Sequence, residues 1–336
     1  MSDQHISLAH GSGGVLSRRL LEDKILTYFD SPLLAALGDS AHLDVAGGRI
    51  AFTTDTYVVD PPFFPGGDIG KLAVCGTVND LAVTGAEPRF ISCALVVEEG
   101  FAMDDLDRVL RSMRDAAGTS DVEIVTGDTK VVPKGKGGDV YINTAGVGSV
   151  PEERNVPSGK PAMGHSIIVS GSLGDHQAAV LARREGLNLE TSVKSDCAPL
   201  TRIAEAVLRN ASEVSFMRDV TRGGLATVLN ESVSEAETGA LLYEEEIPVK
   251  PAVRSLCEIL GLDPLYMACE GRLVATVDEP SADSVCRAVQ SLEDGADCTV
   301  VGQVTDRYPG KVACETAFGT RRLLQMLSGE QLPRIC

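Results

Sequence analysis

Acidic side chains recur at the mouths of expected turns along this chain: Asp55 in Thr54-Asp55-Thr56, Asp80 after Asn79, Asp128 between Gly127 and Thr129, and Asp219 in Arg218-Asp219-Val220. Each is expected where a strand or helix meets a small-residue turn, a place that presents side chains rather than hides them. One such Asp does no more than cap a helix or start a turn. A converging set is different chemistry: carboxylates ~5 Å apart repel by roughly 3 kcal/mol at an effective dielectric near 20, and need a cation between them. Mg²⁺ clamping a polyphosphate supplies it.

Glycine offers a second kind of site. His10-Gly11-Ser12-Gly13-Gly14 and Thr221-Arg222-Gly223-Gly224 each precede an apolar-periodic stretch, so they read either as backbone cradles for phosphate or as plain loops. Neither is a known nucleotide fingerprint, since Leu16 stands where G-x-G-x-x-G requires glycine, and Gly66-Gly67-Asp68-Ile69-Gly70-Lys71-Leu72 lacks Walker A spacing. Asp175-His176 after Gly174 reads as a capping Asp with a partly exposed His rather than a catalytic pair.

The chain ends Leu332-Pro333-Arg334-Ile335-Cys336. Pro333 stops a regular helix and Gly329 loosens the approach, so the tail is expected to be extended and mobile; about 17 residues from Thr320 span up to ~55 Å. The α-carboxylate of Cys336 raises its thiol pKa, which suits a carrier better than a fast nucleophile.

These groups need a scaffold. Apolar periodicity predicts helices over 15–29, 69–83, 103–117, 175–185, 200–209 and 225–236, and strands over 50–54, 90–97, 122–125, 140–147, 166–170, 273–277 and 299–304. Three prolines within 151–161 mark a linker. At 336 residues two domains are expected, and 43% hydrophobic residues argue against disorder. With 48 acidic against 30 basic residues, the net charge of −18 repels phosphate backbones and anionic lipid, so neither nucleic acid nor membrane is an expected partner. Nine cysteines without a C-x-x-C exclude a zinc ribbon or disulfide framework, and the start has no secretory signal, so a reducing cytoplasm is expected.

Taken together, His10-Gly11-Ser12-Gly13-Gly14, Phe52-Thr53-Thr54-Asp55, Thr77-Val78-Asn79-Asp80, Thr126-Gly127-Asp128-Thr129-Lys130, Asp219-Val220-Thr221-Arg222-Gly223-Gly224 and the Pro333-Arg334-Ile335-Cys336 ending resemble the HypE family, the carbamoyl dehydratases of nickel–iron hydrogenase maturation. That family resembles in turn aminoimidazole ribonucleotide synthetase and selenophosphate synthetase; the absence of Cys from the N-terminal loop departs from those selenophosphate synthetases that use a thiol there. The resemblance implies an α/β (α+β) two-domain PurM-like fold: a mixed-sheet N-terminal domain that dimerises, an α/β C-terminal domain and a mobile tail. The expected divisions are 1–35, 36–155, 156–315 and 316–336. It implies ATP and Mg²⁺ as cofactors. It also implies a carbamoyltransferase, HypF, that loads Cys336, ATP-dependent dehydration of the S-carboxamide to a thiocyanate, and a HypC–HypD complex that receives the cyano group. By the same resemblance Asp55, Asp80 and Asp219 bind the metal, and Gly11, Ser12, Gly13, Gly14, Asn79, Asp128, Arg222 and Gly223 hold nucleotide. Lys130 steadies charge on the phosphorylated oxygen, and Glu270 takes a proton. Two readings compete: another ATP-dependent amidine- or selenophosphate-forming enzyme of the same superfamily, which turns over a free small substrate without Cys336, and a non-catalytic thiol carrier, which predicts no phosphate release when the carbamoylated chain meets Mg-ATP.

Overall fold

A computed structural model describes residues 6–11, 14–29, 31–152, 154, 157, 159–184, 192–234 and 236–327. The first helical segment runs through α1 (Val15–Leu20), a π-type turn over Leu21–Ile25 and α2 (Leu26–Tyr28), close to the expected 15–29, and α3 (Pro32–Ala35) follows. Then come β1 (Ala41–Val45), β2 (Gly48–Tyr57), β3 (Phe63–Phe64), β4 (Gly67–Asp68), α4 (Ile69–Val83), β5 (Glu87–Glu98), α5 (Met103–Ser120), β6 (Glu123–Val132) and β7 (Val140–Val150). These strands form a mixed five-stranded sheet ordered β1-β2-β7-β5-β6, with only the β5–β6 pair parallel.

Helix α4 forms because Asp68 caps it, its Oδ1 accepting from the amides of Gly70 (2.8 Å) and Lys71 (3.1 Å), and because Ala, Val and Leu fill a helix buried on all sides. Its approach to β2 is close enough that a Cβ at Gly76 would collide with the Tyr57 hydroxyl. Helices α4 and α5 cover one face of the sheet through Ile69, Leu72, Val109 and Met113, packed on Ile91, Leu95 and Ile142.

The second half contains β8 (Ser166–Val169), α6 (Asp175–Arg183), α7 (Thr201–Asn210), β9 (Val214–Asp219), α8 (Gly224–Val233), β10 (Gly239–Tyr243), α9 (Pro251–Leu260), β11 (Leu273–Val277), α10 (Ala282–Gln290), β12 (Thr299–Thr305), β13 (Val312–Glu315) and β14 (Arg321–Leu324). Seven strands pair in the order β14-β13-β10-β12-β8-β11-β9. Helices α7 and α10 bury Ile203, Val207, Val285 and Val289 on one face of that sheet, and α8 buries Leu225 and Leu229 on the other.

The structure corrects three expectations. Asp55 lies inside β2, which runs two residues beyond it, and β6 continues to Val132 where a short strand ending at Val125 was expected. The proposed tail over 316–336 begins later: residues 316–320 form a turn and Arg321–Leu324 pairs antiparallel with β13, extending the sheet. Residues 328–336, including Gly329, Pro333, Arg334 and Cys336, lie outside the described residues.

Candidate active site

Four elements converge. Asp80 sits near the C-terminal end of α4 and Asp55 on β2, where Thr53 Oγ1 donates to Asp80 Oδ2 at 2.9 Å. Asp219 is the last residue of β9, paired with Leu273 of β11. Glu270 lies just before β11, and its position is fixed from behind: its amide and that of Gly271 donate to the two oxygens of Asp196, both at 3.3 Å. Asp219 and Glu270 are 5% and 6% exposed, so these carboxylates have given up most of their water.

Their ionisation reflects that. Burial, then Asp219, Asp39 and Asp55, hold Asp80 well above the usual carboxylate range. Burial and the neighbouring Asp39 push Asp219 up to about 7. Burial, with Asp219, Asp196 and Asp55 adding repulsion and Arg222 opposing, raises Glu270 well above its ordinary value. The buried Tyr57 hydroxyl is raised in the same field.

Asp39 joins the group without having been expected. Its carboxylate pairs with Arg218 Nε at 2.6 Å, and Arg218 reaches Glu231 at 2.7 Å. The signal was present, since Gly38-Asp39-Ser40 repeats the pattern of an acid between small residues.

The donor set suits one kind of metal site. Hard, mutually repelling carboxylate oxygens favour a hard divalent cation. Yet among the described residues no three His, Cys, Asp or Glu side chains stand close enough to hold a metal ion by themselves. The residues therefore fit Mg²⁺ of the usual phosphate-assisted type, one or two carboxylates plus oxygens brought by the ligand. Asp55, Asp80 and Asp219 are the carboxylates from among which its one or two protein ligands would come.

Other expected site residues take different places. The Asn79 side chain is committed internally: Nδ2 donates to the carbonyls of Ala198 (3.2 Å) and Glu270 (3.3 Å), and Oδ1 accepts from the Leu200 amide at 2.7 Å. It clamps the two halves together rather than presenting its amide to a nucleotide. Arg222 Nη1 donates to the Gly11 carbonyl at 3.4 Å, tying the two glycine segments to each other, and Gly223 caps α8 in a left-handed conformation (φ 79°). Gly14, at φ 81°, abuts the start of the tail, where the Val15 amide donates to the Leu327 carbonyl at 3.2 Å and a Cβ on Gly14 would stand 2.5 Å from that oxygen. Ser12 and Gly13 lie outside the described residues, as does Cys336.

Asp128 and Lys130 are not brought to the cluster of their own chain. Lys130 Nζ pairs with Asp128 Oδ2 at 2.9 Å, both side chains are well exposed, and Lys130 holds the Asp128 carboxyl below its usual range. Asp55 is level with Thr144, Cys93 and Gly127 across the sheet, three strand spacings or ~14 Å from β6. Asp128 pairs instead in the row of Ala94 and Asn143, which points to the face opposite the helices. The expectation that Asp128 lies in an acidic turn fails because β6 is one continuous strand.

The fold defines a two-domain architecture shared with the AIR synthase related proteins: residues 37–150 match the N-terminal domain of that family and 162–315 its C-terminal domain. Within it, the chain belongs to the carbamoyl dehydratase HypE family. It is 46% identical to carbamoyl dehydratase HypE of Rhodobacter capsulatus over 341 residues, covering 100% of this chain and 99% of that one. A crystal structure of HypE in complex with ATP superposes with a TM-score of 0.81 at 46% identity, covering 97% and 98% of the two chains. A HypE–HypF complex gives 0.86 at 41% identity, covering 92% and 99%.

Proposed function

We propose that this chain dehydrates a carboxamide carried on the sulfur of Cys336 to a thiocyanate, converting ATP to ADP and phosphate, in the service of hydrogenase maturation. The observation that carries the reading is the buried Glu270, raised by burial beside Asp219 and Asp55 and opposed by the charge of Arg222, which donates to the Gly11 carbonyl near Leu327. Full-length relatedness to carbamoyl dehydratases and to an ATP-bound HypE supports it.

A carboxamide oxygen leaves badly as water; phosphoryl transfer from ATP makes it phosphate, and the nitrogen then loses protons as C≡N forms. Glu270 is the base. Its raised proton affinity makes it a stronger base than an ordinary carboxylate for taking an N–H proton, and the Asp196 grip on its backbone holds it in place. Arg222 balances charge beside it. Mg²⁺ bound among Asp55, Asp80 and Asp219 would neutralise polyphosphate charge. Beyond Leu327 nine residues remain to Cys336, a span of at most ~30 Å, and closure around the docked sulfur excludes water.

Lys130 and Asp128 enter the site from a second copy. The β6 edge is exposed with its apolar Val125 (54%) and Val131 (69%), and Phe52 and Phe90 lie half-exposed on the same sheet. Pairing two such sheets buries these residues and completes each site in trans. HypF is the proposed carbamoyl donor, supported by the HypE–HypF complex, and HypC–HypD the proposed cyano acceptor, all in the cytoplasm.

The test is intact-mass spectrometry after incubation with carbamoyl phosphate, the transferase and ATP. Cys336→Ala is expected to bind ATP yet carry neither carbamoyl nor cyano adduct. Normal adducts on that variant refute the reading.

A further inference from the structure

A cavity of about 730 Å³ lies on the outer side of α4 and α5, walled by the start of α6 and by the segment 194–199. Its lining sets Lys71, Arg108, Arg111, Lys194, Lys250 and Arg272 against Asp68, Asp115, Asp175, Asp196 and Asp294, a small positive excess in a chain of net charge −18. Two of them are neutralised: Lys250 Nζ pairs with Asp175 Oδ2 at 2.6 Å, and Arg272 stands 3.7 Å from Asp196 while donating to the carbonyls of Ser172, Gly271 and Asp294. The other four are not. Lys71, Arg108 and Lys194 form no ion pair among the described residues, and Arg111 has only Asp107 at 4.0 Å. Arg108 lies over the Phe63 ring, 4.0 Å from its centroid, which leaves the guanidinium edge free for oxygen ligands.

The carboxylates of the wall are mostly occupied. Asp68 caps α4, Asp196 holds the Glu270 and Gly271 amides, and Asp115 is engaged by Arg114 at 2.8 Å. Asp175 is fully buried, and both of its partners, Ser172 Oγ at 2.7 Å and Lys250 Nζ, converge on Oδ2. Oδ1 has no hydrogen-bond partner and no exposed surface, so Asp175 stands behind the cavity wall and is not available to an occupant.

We propose that this cavity is a second binding site, separate from the carboxylate centre, for a small phosphate ester. Lys71, Lys194, Arg108 and Arg111 receive the phosphate, and the remaining volume houses the body of the ester. The volume falls within the range of small-molecule sites. Its floor, Ser195-Asp196-Cys197, is also the support of Glu270, so the two sites share one wall.

Ribose 5-phosphate is the probe, titrated by calorimetry into the full-length protein with EDTA present, so that no divalent cation draws phosphate to the carboxylate centre. Saturable binding is expected, tighter than for inorganic phosphate, weakened about tenfold in the double variant Lys71→Gln, Lys194→Gln and unchanged in Arg222→Gln. Both lysines are at the surface, and an unaltered melting temperature verifies folding. No saturable binding, equal affinity for inorganic phosphate, or undiminished binding by the double variant overturns the proposal.

Discussion

Ionising Asp219 opposes folding. Its carboxyl titrates near 7 in the folded chain against 3.8 for the ordinary group, so between those values the folded state holds the proton more tightly. Its stabilising contribution is complete below about pH 4 and disappears as pH rises through 7. Asp219→Asn is accordingly expected to raise the stability of the cation-free protein at pH 8 by about 1–3 kcal/mol in urea melts, while abolishing Mg-ATP binding; unchanged stability overturns the electrostatic account. At this scale the sequence was partly legible. Asp55, Asp80 and Asp219 stand out as acids where predicted elements end, and Asp39, between Gly38 and Ser40, was as visible, but Glu270 in Cys269-Glu270-Gly271 becomes visible only through family resemblance. Asp128 misleads for a physical reason. Gly127 beside it is no turn residue; a Cβ there would run into the Cys93 carbonyl of the neighbouring strand, so glycine serves strand packing.

Helix α6 carries the second surprise, at the level of an element. The sequence suggested a capping Asp with a partly exposed His; both are fully buried instead, because α6 and α9 pack into the core formed with α4. His176 donates to or accepts from Ser195 Oγ at 2.8 Å through Nδ1, lies edge-on to Phe64, and titrates near 3 because burial disfavours its cation. The unfolded imidazole titrates near 6.5, so stability is complete above that value and falls as pH drops toward 3. The loss between pH 7 and 5 is expected to be roughly 2 kcal/mol from this group, and His176→Gln removes that part of the acid slope in denaturant titrations. An unchanged slope contradicts it. Hydrophobic periodicity located most helices to within a few residues, whereas β6 was shortened by its own polarity. Its residues are almost all exposed in a single chain, so no apolar alternation marks its second half.

The whole molecule separates the proposed partners Lys130 and Glu270 by the width of a sheet, which makes the two-copy arrangement testable by mixing. Lys130→Ala and Glu270→Gln are each expected to be inactive; refolded together, half of the dimers carry one intact site of two, restoring about a quarter of wild-type turnover. No recovery places both groups in one chain's site. Length and apolar content indicate a globular, two-domain chain, and periodicity its mixture of helices and strands, but the side on which two copies meet depends on which sheet face the helices leave bare. Finally, the hairpin of β13 and β14 pins the chain as far as Leu327, beside Gly14 and Val15. A courier on so short a tether cannot travel between distant stations. Whatever loads the sulfur and whatever unloads it must call at the same doorstep, in turn, so donor and acceptor proteins are expected to exclude one another from a given subunit.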